Sequence, residues 1–280
     1  MRLVRLLALL APLLAACAER IPRRPDPIAP TPGPAPEPAR SVHLELGTPV
    51  DADPSDDEIL VKPQYALSYN RARRGPNWVS WRLDAGDLGP ARRHRGRFLA
   101  DETLPAAFPR AQHDDYAGSG YERGHLVPSH DRTRSAEDNR ATFLLTNVLP
   151  QRGDLNGGPW ERLERHCYDL AANEDRALYQ VAGGVFPARP ETIGAGVAVP
   201  EAFFKIAVVL RPGQGAADVR PSTQVIVVVM PNEAGVRRTR WATYRTTIRA
   251  IERRTGYDFL SRVPREIQEA IETRVAGDAE

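Results

Sequence analysis

Four side chains between residues 123 and 164 have the types and spacing to act on a phosphodiester. Arg123 and His125 stand two apart in the run Tyr121-Glu122-Arg123-Gly124-His125. In extended backbone, residues i and i+2 share a face, so this spacing sets a guanidinium beside an imidazole. A cation that grips phosphate oxygens and a base that titrates near neutrality suit phosphodiester chemistry. Asn156 comes later, at the entrance of a helical stretch, and Glu164 lies two turns beyond it. An amide oxygen and a carboxylate are hard ligands, suited to a Mg²⁺ ion that keeps most of its water.

The elements that must hold these groups are partly visible in the hydropathy pattern. Six segments alternate or run apolar as strands do: Tyr65 to Tyr69, Trp78 to Arg82, Ala141 to Val148, Ala177 to Phe186, Phe203 to Leu210 and Thr223 to Met230. One helix is predicted from near Pro159, where a proline fits the first turn, to about Ala172. A second spans about Thr239 to Arg254 and stops at Gly256, and a short surface helix covers Pro264 to Val275. Trp160, Leu163, Cys167 and Leu170 share one face of the first helix, which makes Cys167 a core residue rather than a reactive thiol. The pattern implies an α+β fold with a mixed or antiparallel central sheet flanked by helices.

Composition narrows the function classes. The chain has 280 residues and 41% hydrophobic content, enough for a full core, and lacks the long apolar runs of a multi-span membrane protein. Two cysteines build neither a disulfide framework nor a four-cysteine zinc site. His130 and His166 fit no metal-ligand spacing, and there is no zinc-protease helix motif. Gly118-Ser119-Gly120 lacks the spacing of a nucleophile elbow and no phosphate-binding P-loop is present, so serine hydrolase and NTPase readings fall away. The acidic stretch Asp51 to Glu58 reads as a solvated loop, since Pro54 and a missing mid-loop glycine disfavour a calcium loop.

The first residues read as targeting. Arg2 and Arg5 precede an apolar stretch from Leu6 to Leu14, the pattern of an export signal over residues 1–16. Leu14-Ala15-Ala16-Cys17 resembles the lipobox of bacterial lipoproteins, which implies lipidation of Cys17 and an anchor in the cell envelope. Ala18 after the cysteine favours the outer membrane, facing the periplasm or the surface. Residues 17–41 then form a tether, with 8 prolines between residues 21 and 40, and a single domain is expected over residues 42–275. Without residues 1–16 the basic count falls from 38 to 36, equal to the 36 acidic residues. Nucleic-acid binding by such a chain must come from locally clustered arginines.

Glu122-Arg123-Gly124-His125 resembles the Asp-Arg-Gly-His signature of the DNA/RNA non-specific endonuclease family, the endonuclease G-like enzymes with a ββα-metal, or His-Me finger, site. Thr142 to Gln151, followed by Asn156, Trp160, Leu163 and Glu164, is similar to the family's second block. SYNRARRGPNWVSWRL, FFKIAVV and IRAIERRTGYDFL look like further family segments, so the likeness runs over about residues 43–265. The resemblance implies that His125 is the general base and that Asn156 is the single protein ligand of a hydrated Mg²⁺, with Mn²⁺ as a substitute. It makes Glu164 an orienter of metal-bound water, Asn147 a fixer of the local loop, and Arg123 a phosphate ligand. A second phosphate ligand is expected among Arg92 to Arg97, with Arg95 and Arg97 aligning about equally well. The implied activity is hydrolysis of DNA and RNA to 5′-phosphate and 3′-hydroxyl ends, with a homodimer as the partner state often found in such enzymes.

Two residues depart from the family pattern. Glu122 replaces the aspartate of the signature, and Tyr168 stands where some members place an arginine one helical turn after the glutamate. Those departures, with the neutral charge, motivate the contrasting reading of a catalytically weak envelope lipoprotein that binds nucleic acid or protein.

Overall fold

The computed structural model describes residues 41–275, so the predicted export signal, the lipidation site Cys17 and nearly all of the tether lie outside the described residues. A six-stranded sheet runs through the middle, with strands β1 (Glu58–Val61), β2 (Ala66–Asn70), β3 (Gly75–Leu83), β6 (Ala177–Val185), β9 (Ala202–Leu210) and β10 (Val225–Pro231). Their spatial order is β1-β2-β3-β6-β9-β10 and every pairing is antiparallel. Strand β9 is buried along its whole length because both faces of the sheet are covered. Phe203, Ala207 and Val209 point into one core, and Phe204, Ile206, Val208 and Leu210 into the other. This is the α+β architecture expected from the hydropathy pattern.

The first core rests under a ββα unit. Strand β4 (Glu122–His125) pairs antiparallel with β5 (Val148–Gln151), setting Arg123 opposite Pro150 and His125 opposite Val148. Between them lies the short helix α1 (Ala136–Ala141), capped by Ser135, whose Oγ accepts from the Asp138 N–H at 3.0 Å. After β5 come one helical turn, α2 (Gly153–Leu155), a kinked stretch Asn156–Trp160, and helix α3 (Glu161–Asn173). The kink falls at Gly157 and Gly158, which leave helical geometry. A Cβ at Gly158 would stand 2.9 Å from Arg237 Cα, so only glycine lets these two stretches approach. Helix α3 buries Leu163, Cys167, Leu170 and Ala171, and Cys167 is a free thiol that burial pushes up to about 12.

The second core is closed by α4 (Ile248–Thr255) and α5 (Arg265–Glu272), through Ile248, Ile251 and Ile271. A separate two-stranded ribbon, β7 (Thr192–Ile193) with β8 (Val197–Ala198), lies near the ββα unit, sharing a small core with Val148. Among the described residues no helix is long and apolar enough to cross a membrane.

Two expectations change. Ala141 to Val148 is not a strand: it closes α1, turns, and reaches β5 only at Val148. Phe143, Leu145 and Val148 are buried, with Leu145 N–H bonded to Leu99 O at 2.8 Å, and a short apolar run does not reveal its backbone geometry. Thr239 to Arg254 is not one helix either. Trp241–Tyr244 forms a single 3₁₀ turn, Arg245 then bridges Val228 at the sheet, and the helix starts only at Ile248, capped by Thr247. Helix α5 packs on the surface as expected, with Arg265, Glu266, Glu269 and Ala270 exposed and Ile271 and Glu272 turned inward.

Candidate active site

Strand β4 delivers Arg123 and His125 to the wall of a cavity of about 600 Å³, which is also lined by Arg93, Asn156, Glu164 and Tyr168. Gly124 between them is required by close packing, since a Cβ there would overlap the buried side chain of Gln151 on β5. Asn147 locks the same corner. Its Oδ1 accepts from Val127 N–H at 2.9 Å, while its Nδ2 donates to the carbonyls of Val127 and Thr142, each at 2.9 Å. The loop after His125 and the loop before β5 are thus tied by one fully buried amide.

The imidazole of His125 is held between two aromatic rings, Phe98 at 5.1 Å and Phe143 at 4.9 Å between centroids. Its Nε2 is buried without a hydrogen-bond partner. Burial first, then the positive fields of Arg93 and His130, lower its pKa to about 3, so the ring is neutral at physiological pH. A neutral imidazole on a cavity wall is in the protonation state needed to take up a proton.

Two guanidinium groups flank it. Arg123 donates to the carbonyl of His113 through Nε at 3.3 Å and Nη2 at 2.6 Å, and stacks 5.3 Å above Tyr116. Arg93 donates to Ser129 Oγ and lies 5.0 Å over the ring of Phe143. Burial lowers the pKa of Arg93, and the field of Glu164 opposes that shift. A fork with two fixed contacts keeps its orientation, and its remaining N–H groups have the geometry to donate to an oxyanion.

On the facing wall, Asn156 Nδ2 donates to Glu122 Oε2 at 2.7 Å. That bond uses the amide's donor side and turns its oxygen, Oδ1, away from the carboxylate as the free ligand atom. Glu164 is buried, and its Oε1 has no partner. Burial raises the pKa of Glu164, while Lys205 and His130 hold it down. A free amide oxygen and an orphaned buried carboxylate oxygen on one cavity fit a hard, largely hydrated divalent cation. Asp51, Asp56 and Asp57 also approach one another, but none of the three lines this cavity.

The structure thus brings Arg123, His125, Asn156 and Glu164 to one cavity, with Asn147 directly behind it. Arg95 and Arg97 are not on its wall: Arg97 is exposed and paired with Asp114 at 2.6 Å, and Arg93 occupies the position expected of one of them. The segment 89–98 has no regular element, so no periodicity tells which of its arginines points inward. Asn156 does not cap a helix start; it ends the turn α2 just before the kink. His130, set aside from the sequence, lines the cavity and packs edge-on against Tyr168 at 5.4 Å. Arg165, with no motif to mark it, also lines the cavity. Lys205 was equally hidden, as one polar residue in an apolar strand; it is buried between Trp81 at 5.1 Å and Trp160 at 4.7 Å.

An antiparallel ribbon carrying a neutral histidine, followed by a kinked stretch carrying an amide and a helix carrying a carboxylate on the same cavity, is the ββα arrangement on an α+β scaffold. The sequence matches the DNA/RNA non-specific endonuclease family over residues 44–266. It is 43% identical over 243 residues to a nuclease of Nostoc sp., covering 85% of this chain and 87% of that protein. It is 30% identical over 219 residues to the human mitochondrial nuclease EXOG, covering 72% of this chain but only 56% of that protein's length. Among solved structures, the crystal structure of an EndoG/EndoGI complex superposes with a TM-score of 0.69 at 28% identity, covering 80% of this chain and 92% of that one. The chain belongs to the DNA/RNA non-specific endonuclease family, and it is a hydrolase of the nuclease class.

Proposed function

We propose that this chain is a Mg²⁺-dependent, sugar-non-specific endonuclease that hydrolyses DNA and RNA to 5′-phosphate and 3′-hydroxyl ends, with Mn²⁺ able to replace Mg²⁺. The observation that carries this reading is the convergence on one cavity of a neutral buried imidazole, two oriented guanidinium groups, an amide, and a buried carboxylate with one unpartnered oxygen. His125 removes the proton of the attacking water. Arg123 and Arg93 hold the non-bridging oxygens of the scissile phosphate in their forks. Asn156, oriented by Glu122, would hold the cation, and Glu164 would hydrogen-bond to waters around it. The bound cation supplies charge relief at the phosphate and its leaving oxygen. These contacts address backbone and not base edges, which accounts for weak sequence preference.

Export by residues 1–16, lipidation of Cys17, a tether over residues 17–41, outer-membrane anchoring and a homodimeric state belong to the same proposal. The chemistry is tested by cleavage of plasmid DNA and of RNA with Mg²⁺, with Mn²⁺ and with EDTA. Cutting that needs metal and is lost in His125→Ala and Asn156→Ala is the expected result. Failure of folded protein to cut with any divalent metal overturns the assignment. Loss of lipid labelling and of membrane association in Cys17→Ser tests the anchor.

A further inference from the structure

Helix α3 serves two cavities. Glu161, Glu164, Arg165 and Tyr168 face the His125 cavity, while Arg162, Arg165, His166 and Asp169 face a second one of about 380 Å³. Each set has the spacing i, i+3, i+4, i+7 of a single helical stripe, and the second is the first shifted by one residue. The two cavities are therefore neighbours around one helix, with Arg165 common to both.

The second cavity is completed by the 3₁₀ turn, through Arg240, Trp241 and Arg245. Arg162 ties this turn to the helix, donating from Nη2 to the carbonyls of Arg237 at 2.8 Å and Thr239 at 2.7 Å. His166 stacks on Trp241 with centroids 5.2 Å apart and ring planes 29° from parallel. Arg245 lies 5.0 Å from the centroid of the same indole. The charges on the wall are four arginines against one aspartate. Arg240 makes no ion pair among the described residues, and Arg165 has only Glu161 at 3.6 Å, with both side chains more than half exposed. An exposed pair of that kind holds its arginine weakly. In a chain with 38 basic against 36 acidic residues, a basic, aromatic-bearing hollow beside the His125 cavity stands out as a local site suited to a polyanion.

We propose that the hollow formed by Arg165, His166, Arg240 and Trp241 is a subsite for the nucleic-acid strand that flanks the scissile phosphate. Arg240 and Arg165 take backbone phosphates, and the His166–Trp241 stack offers a π-surface to a base. The inference rests on the nuclease reading of the His125 cavity, and it assigns the direction in which the substrate leaves that cavity. A strand long enough to pass over α3 gains these contacts; a trinucleotide confined to the His125 cavity does not.

The test compares a 20-residue single-stranded oligonucleotide with a trinucleotide, using the whole chain and the variants Arg240→Glu and Trp241→Ala. The ratio of kcat/KM for the long substrate to that for the short one is expected to fall about tenfold in Arg240→Glu, and the dependence of log KM on log salt to flatten by about one contact. Trp241→Ala is expected to lower the same ratio by about fivefold or more, as loss of one stacked base does. Unchanged ratios in both variants overturn the subsite, as does an equal loss on both substrates. Binding of the 20-mer by His125→Ala protein, with and without Arg240→Glu, decides the matter independently of cleavage. A roughly tenfold weaker Kd in the double variant supports the subsite even if the nuclease reading fails, and an equal Kd overturns it even if that reading holds.

Discussion

Replacing Phe98 by alanine should give the enzyme an acid limb that the native protein lacks. The imidazole of His125 has a pKa of about 3 chiefly because it is buried, with Arg93 and His130 adding positive fields. Phe98 is one of the two rings that exclude water from it, 5.1 Å between centroids, and is itself only partly buried, so its removal opens the site from the solvent side. An unperturbed imidazole is ~3% neutral at pH 5, whereas one titrating near pH 3 is ~99% neutral. If the base must be neutral, native kcat/KM at saturating Mg²⁺ should vary less than about twofold between pH 7.5 and 5 on account of this group. Return of the pKa to about 5 in Phe98→Ala would halve kcat/KM at pH 5, and full return would lower it ~30-fold. The assay is initial-rate cleavage of a fluorogenic oligonucleotide across that range, with circular dichroism at each pH to show that the fold persists. A native acid limb centred near pH 6.5, or an identical profile in Phe98→Ala, would refute burial as the determinant of His125 protonation.

Three further expectations follow from single contacts. Glu122→Ala removes the acceptor that orients the Asn156 amide, so half-maximal activity should need ~10–100-fold more Mg²⁺, and an unchanged Mg²⁺ requirement would remove Glu122 from the site. Lys205→Met exchanges a buried cation for an apolar chain of similar length, so thermal stability should hold or rise. Glu164 then loses the field that holds its pKa down, so activity should fall more at pH 6 than at pH 8; a uniform fall would count against that coupling. His43 is buried with Arg82 N–H donating to Nδ1 at 3.2 Å and its Nε2 2.9 Å from Pro63 O, a neutral ring whose pKa is lowered to about 4. Because the unfolded chain takes up this proton first as pH drops below 6.5, stability is lost on acidification, by about 2 kcal/mol between pH 7 and 5 from this group. Urea unfolding at the two pH values should show that His43→Gln loses correspondingly less, and equal losses would refute it.

The parts legible in the sequence are those written in regular backbone. Strands β2, β3, β6, β9 and β10 show openly as apolar or alternating segments, and α3 by its apolar stripe from Leu163 to Leu170. Arg123 and His125 could be paired from their spacing because β4 is extended. Arg93 could not, because it leaves a loop among several arginines and its inward turn is decided by Ser129 and the face of Phe143, far away in sequence. The buried Lys205 was illegible for a related reason. Its cost of burial is offset by two indole faces that only the folded sheet brings together. The late start of α4 shows the same override, since Arg245 is drawn to a bridge with Val228 against a helical pattern that begins earlier.

The division of labour within the ββα unit explains how so short a ribbon can hold the His125 imidazole in place. Two strands of four residues each have little stability of their own, and isolated hairpins are marginal in water. Here the ribbon is fixed from outside, by Gln151 packed across Gly124 and by Asn147 bonded to three backbone groups on either side of the turn. Beneath it, Leu149 belongs to the same core as Trp81 and Leu163, which joins ribbon, sheet and α3. The imidazole therefore takes its position from the sheet core, while Glu164 takes its from helix α3 seated on that core and Asn156 from the kinked stretch that leads into it. Loosening Asn147 would let the loop before β5 move relative to His125 while leaving both cores intact. Asn147→Ala should accordingly lower kcat strongly, with urea denaturation falling by only the few kcal/mol that loss of one buried amide network entails, about 2–4. Loss of activity no greater than the loss of folded fraction would show that the clamp serves stability alone.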